Sequence, residues 1–153
     1  MLRPFLVAFI LIGFSLLCVA STATADSKTM SQIYDENRMA VVHVIMKADP
    51  STPNQSPSSG TGFIISGDGF VLTAKHIIAD YKNEATTPIT VRIGSLDGPE
   101  VEAEPVPFDI QIDVALLKLR NPISLGLTSY RSATRGDSGK IKGGTALFLA
   151  GFN

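Results

Sequence analysis

Gly60-Thr61-Gly62-Phe63-Ile64-Ile65-Ser66-Gly67-Asp68-Gly69-Phe70-Val71-Leu72-Thr73-Ala74-Lys75-His76-Ile77-Ile78-Ala79 is the stretch from which the fold is read. Two short apolar runs, Phe63–Ile65 and Phe70–Leu72, flank Gly67-Asp68-Gly69. Glycine takes positive φ without steric cost and Asp-Gly favours tight turns, so the stretch predicts a β-hairpin. The second strand ends at Thr73-Ala74, which puts His76 where the strand stops. A histidine at the rim of a sheet can reach both solvent and substrate. Its ordinary pKa of about 6.5 suits proton transfer at neutral pH.

Outward from the hairpin, short β-branched runs continue in both directions. Met39–Met46 is bounded by polar residues and predicts a first strand with His43 inside it, read as a packed strand residue rather than a catalytic one. The run Ser31–Glu36 before it can form a short helix. Between this strand and the hairpin, Asp49–Ser59 interleaves Pro50, Pro53 and Pro57 with Ser, Thr, Asn and Gln, the composition of an exposed, mobile loop. After His76, Ile77–Tyr81 predicts one helical turn. Ile89–Ile93 alternates as a half-buried strand, and Val101–Glu104 reads as an acidic-faced strand near an edge. Asp113–Leu119 is apolar on both faces until Lys118, as in a strand covered on both sides, and Asn121-Pro122 ends it. Many short strands, Gly and Pro turns and little helical periodicity predict an all-β barrel.

Serine hydrolysis requires a hydroxyl, a base to accept its proton, and a carboxylate that fixes the base's tautomer and stabilises its cation. His76 fits the base. Asp113 and Asp109 both stand near the start of the last strand and compete for the carboxylate.

The two blocks together carry a resemblance. Gly60–Ile65 with Val71–Ile78 resembles the catalytic-histidine hairpin of trypsin-like serine peptidases, closest to the Deg/HtrA type of bacterial envelope proteases. Asp113-Val114-Ala115-Leu116-Leu117-Lys118-Leu119 resembles the strand that begins with the triad aspartate, and that pattern selects Asp113 over Asp109. The resemblance covers Ala40 to the chain end. It implies a chymotrypsin-type fold of two Greek-key barrels with the cleft between them. Residues 39–135 then correspond to the first barrel, and 136–153 to a linker and the first strand of a second barrel that is only begun.

Gly136-Asp137-Ser138-Gly139 is similar to the nucleophile loop of trypsin-like enzymes, but Ser138 is read as a structural turn residue. Lys140 stands where an oxyanion loop needs glycine's permissive backbone. Ser138 follows Asp113 too closely for a second barrel's strands to intervene. The run from Gly136 to Gly151 instead resembles the inter-barrel segment of Deg/HtrA proteases, with Thr145–Ala150 as the strand. No nucleophile is therefore assigned within the chain, and the sequence reads as a protease truncated before its serine and inactive as it stands. The alternatives are a non-catalytic exported β-barrel binding module or relic, and an intact hydrolase using Ser138.

The address and the exclusions come from composition. Arg3, the apolar run Phe5–Ala20 and Ala23-Thr24-Ala25 have the form of a secretory signal peptide over residues 1–25. The run is short for a stable membrane anchor. Cys18 raises a lipoprotein alternative, set aside because Leu17 precedes it. Cleavage would leave 128 residues beginning with a polar segment, 26–38, and would place the protein in the periplasm or outside the cell. Those residues contain no cysteine, and the 12 basic against 14 acidic side chains give a net charge of −2. With no basic stripe, nucleic acid is not an expected partner. His43 and His76 lie far apart with no cysteine between them, so no metal site and no cofactor is expected. The expected partners are polypeptide substrates, once a second barrel completes the cleft.

Overall fold

The computed structural model describes residues 28–107, 111–120, 126 and 128–152. The signal sequence, Cys18, Asp109 and Asn121-Pro122 lie outside the described residues. One helix, α1 (Met30–Asn37), precedes six strands: β1 (Val41–Met46), β2 (Ser58–Ile64), β3 (Phe70–Thr73), β4 (Ile89–Ile93), β5 (Glu100–Val106) and β6 (Ala115–Leu119). The strands close an antiparallel barrel in the order β1-β2-β3-β6-β5-β4. This is the all-β architecture predicted from the spacing of the apolar runs.

Period-2 patterning decides which residues fill the barrel. Val42, Val44 and Met46 on β1 point inward, and Ile64, Val71, Val91 and Leu117 join them from the other strands. Helix α1 opens on a capping box, in which the Thr29 side chain accepts from the Gln32 backbone and the Gln32 side chain accepts from the Thr29 N–H. A single 3₁₀ turn, Arg38–Ala40, occupies the first two positions of the strand expected from Met39, so β1 begins at Val41.

The hairpin forms as read. Phe63 pairs with Leu72 and Ile64 with Val71 across β2 and β3. The Gly69 N–H donates to the Ser66 carbonyl at 3.0 Å, with Gly69 at φ +92°. From β6, the Lys118 ammonium reaches over the turn to the Asp68 carboxylate at 2.9 Å and stands 4.2 Å from the Phe70 ring centroid. Beneath the turn, Tyr130 is buried, its N–H donating to the Gly67 carbonyl and its hydroxyl to the Arg120 carbonyl.

Four expectations are corrected. β5 is not at an edge: it runs Glu100–Val106 and pairs with β4 on one side and β6 on the other, because barrel closure removes edges. β6 is not covered on both faces; Leu116 and Lys118 are half-buried on the outer face and Ala115, Leu117 and Leu119 face the core. Thr145–Ala150 forms no strand. All six strands here are already paired on both sides, so no sheet edge offers it a ladder. The loop after β1 is anchored at its base rather than wholly mobile. Asp49 is 3% exposed, and its carboxylate accepts from the Ser51 N–H and hydroxyl and from the Lys82 ammonium at 2.9 Å.

Candidate active site

The barrel's register brings the two ends of the site together. After β3 the chain leaves the sheet, makes a 3₁₀ turn over Lys75–Ile78, and returns beside β1 as β4. β6 lies antiparallel to β3 with Thr73 opposite Ala115. The segment leaving β3 and the segment entering β6 therefore meet at one rim. His76 is three positions past Thr73, and Asp113 is two positions before Ala115. The turn is held by Ile77, which is buried in the core and packs where Gly60 has no side chain. With Ile77 fixed inward, His76 is carried outward on the same turn.

The contact between the two residues uses both carboxylate oxygens. The His76 ring Nδ1–H donates to Asp113 Oδ2 at 2.7 Å, and the His76 backbone N–H donates to Asp113 Oδ1 at 2.9 Å. One bond orients the ring and the other fixes the main chain that carries it. The hydrogen bond from the His76 side chain is the largest cause holding the Asp113 carboxyl below its ordinary pKa, with the backbone bond next. Asp113 therefore stays ionised at neutral pH. The sequence reading placed Asp113 at the head of a buried strand. Its side chain is instead 58% exposed and that of His76 70% exposed, because both stand on the rim segments outside β3 and β6.

A proton on Nδ1 leaves Nε2 as the basic nitrogen of the neutral imidazole. The arrangement can therefore accept a proton at Nε2 and stabilise the resulting cation through Asp113. Neither residue can itself supply the attacking hydroxyl.

Ser138 takes no part in the described contact. It opens a 3₁₀ turn, Ser138–Lys140, on an exposed segment, where the Asp137 carboxylate accepts from the Gly139 N–H at 3.0 Å. His43 is buried on β1 and is not brought to the dyad. A cavity of about 320 Å³ lies between α1 and residues 148–152, and neither His76 nor Asp113 lines it. Among the described residues, no group of three or more His, Cys, Asp and Glu side chains is placed to hold a metal ion.

Two supporting contacts were not read from the sequence. The His76 main-chain bond to Asp113 depends on strand register, which no local pattern encodes. A clamp at the opposite end of β6 joins Arg120 to Glu102 and Glu104 of β5 and to Glu84 in the loop that follows the His76 turn. The members come from three separated stretches and carry no signal as a group.

Comparison with known proteins assigns the class. The family model described as trypsin-like peptidase domain matches residues 60–153, and the chain belongs to that family. Its barrel is a single chymotrypsin-type barrel. Its relatives are of the Deg/HtrA type. The chain is 35% identical over 111 residues to the "Probable periplasmic serine endoprotease DegP-like" of Pseudomonas putida, covering 69% of this chain and 20% of that protein. It is 38% identical over 97 residues to the protein of the same name from Ectopseudomonas mendocina, covering 63% of this chain and 18% of that one. It is 28% identical over 93 residues to "Serine protease HTRA1" of Xenopus laevis, covering 60% and 19%. The chain thus spans about a fifth of the length of these curated relatives. Among the described residues, no helix is long and apolar enough to cross a membrane.

Proposed function

We propose that this barrel carries the general base and its orienting carboxylate for an exported serine endopeptidase acting on polypeptides. His76 takes the proton of the attacking serine at Nε2, and Asp113 holds the ring and stabilises its cation. The single observation that carries this reading is the pair of hydrogen bonds from His76 Nδ1 and the His76 backbone to the two oxygens of one carboxylate, 37 residues away. Ser138 remains a turn residue in this reading, supported by its exposed 3₁₀ turn and by Lys140. The serine and the oxyanion donors belong to a second barrel across the cleft. Loss of one oxyanion donor costs roughly 3 kcal/mol, so the barrel alone is inactive as a peptidase.

Residues 1–25 act as a cleaved export signal, supported by their sequence and by the periplasmic names of relatives. N-terminal sequencing of exported protein should then begin at or near Asp26. Material still starting at Met1 would refute the export reading.

The functional test is casein hydrolysis combined with fluorophosphonate labelling. The chain alone should neither cleave casein nor label at Ser138. Fusion to the second barrel of a Deg/HtrA relative should restore hydrolysis. In the fusion, His76→Ala should abolish cleavage and Asp113→Asn should lower it by roughly ten-thousand-fold. Stoichiometric labelling of the lone chain, lost in Ser138→Ala, would place the nucleophile at Ser138. A fusion whose activity survives His76→Ala would remove His76 from catalysis.

A further inference from the structure

His43 is a buried titratable side chain for which the dyad has no use. It stands on the outer side of β1, out of step with the inward Val42 and Val44, yet it is only 9% exposed. Neither ring nitrogen has a hydrogen-bond partner among the described residues. What covers it is the far end of the chain: the Phe152 ring lies 5.5 Å from the His43 ring, centroid to centroid, at 43°.

The same stretch is clipped to the next strand. Thr61 of β2 lies directly opposite His43 in the β1–β2 register. The Phe152 N–H donates to Thr61 Oγ1 at 2.7 Å, and Thr61 Oγ1 is 3.2 Å from the Phe152 carbonyl oxygen. Gly151 sits tightly on the same side chain, where an added Cβ would stand 3.0 Å from Thr61 Oγ1. Gly151 and Phe152 are thus seated on Thr61 with the aromatic ring closed over His43.

The seat accepts a neutral imidazole and opposes a charged one. Arg92 of β4 faces His43 across the β1–β4 register. Its guanidinium is bonded to Glu100 of β5 at 3.0 Å and to the Leu96 carbonyl, so Glu100 is already engaged. β2 contributes Thr61, which does not titrate, and the covering segment contributes Phe152. Arg38 lines the neighbouring cavity with Phe152 and is itself paired with Asp35 at 4.0 Å. A proton on His43 would create a buried cation with no acceptor at either nitrogen and with arginine close by.

We propose that His43 is a pH-sensitive latch: neutral, it holds Gly151–Phe152 against the barrel, and protonation of its ring releases that segment. Burial, followed by the Arg92 charge, holds the His43 pKa below the ordinary 6.5. The sign follows from linkage. The docked form binds fewer protons than the released form, so docking is fully present above pH 6.5 and is lost as pH falls through the docked value. Between 6.5 and that lower value the docking constant drops by up to about tenfold per pH unit, and below it the constant levels off at its reduced value. The latch draws nothing from the role proposed for His76, and its test reads no activity.

The whole chain carries two histidines, so their ring resonances can be titrated by NMR and assigned with His76→Gln. His43 should titrate below 6.5, and the Phe152 ring resonances should move with the same midpoint while Val44 and Val91 methyls stay fixed. Phe152→Ala should raise the His43 midpoint toward 6.5. In His43→Leu the Phe152 resonances should remain in their docked positions at every pH. Phe152 resonances that ignore the His43 titration, or a His43 midpoint unchanged in Phe152→Ala, would overturn the latch. So would barrel methyls that shift with the same midpoint, because the event would then be loss of the whole fold.

Discussion

At the scale of single residues, the site was legible where a motif surrounds it. His76 and Asp113 stand out because the blocks around them resemble those of Deg/HtrA proteases, and that resemblance, not the local pattern, selects Asp113 over Asp109. Their exposure could not be read, since it depends on where β3 and β6 end rather than on composition. The role of Asp49 was hidden in the same way. A proline-rich loop gives no sign that its first carboxylate will be buried against a lysine 33 residues on. Hydrogen bonds from the Ser51 side chain and then from Lys82 hold the Asp49 carboxyl well below the usual range. The folded state therefore binds this proton less readily than the unfolded chain, and the stabilisation is present above the ordinary value of 3.8. It is lost as pH falls through the lower folded value. Asp49→Asn should lower the urea midpoint at pH 7, and the gap from wild type should close as pH is taken below 3.8. A gap that persists unchanged into acid would mean that the Asp49 charge is not what anchors the loop.

At the scale of elements, the hairpin and β4 were the most readable, because turn residues and alternation both lie within a few positions. β5 was misjudged as an edge strand because its alternating glutamates look solvent-facing. They do face solvent, but the main chain between them is paired on both sides. Side-chain pattern reports which face is wet and says nothing about whether the backbone has neighbours. The hairpin supplies the sharpest element-scale prediction. Gly69 has φ +92°, and an added Cβ would stand 2.7 Å from Tyr130 Cε2. Gly69→Ala therefore strains the backbone and pushes against a buried ring at once. It should cost about 1–3 kcal/mol in urea unfolding, with Gly67→Ala, at open contact distances, costing much less. Equal costs at the two positions would show that the turn does not depend on that conformation.

At the scale of the whole molecule, closure of the barrel makes a site from residues that are distant in sequence. Leu117 is fully buried between β3 and β5 neighbours, and Leu117→Ala should destabilise the fold by about 2–5 kcal/mol. Beyond the barrel, Leu147, Phe148 and Leu149 are exposed, at 71%, 49% and 102%. Their apolar character was legible, but the strand expected there needs a partner that the closed sheet does not provide. The central claim is that barrel register gives His76 a carboxylate at Nδ1 and so makes Nε2 its basic nitrogen. Nitrogen-15 NMR of the neutral His76 ring in the folded chain reads this tautomer without requiring catalysis. The account predicts a proton on Nδ1 and a bare Nε2, with the preference lost in Asp113→Ala. A ring protonated on Nε2 in the wild-type chain, or a tautomer that Asp113→Ala leaves unchanged, would contradict it.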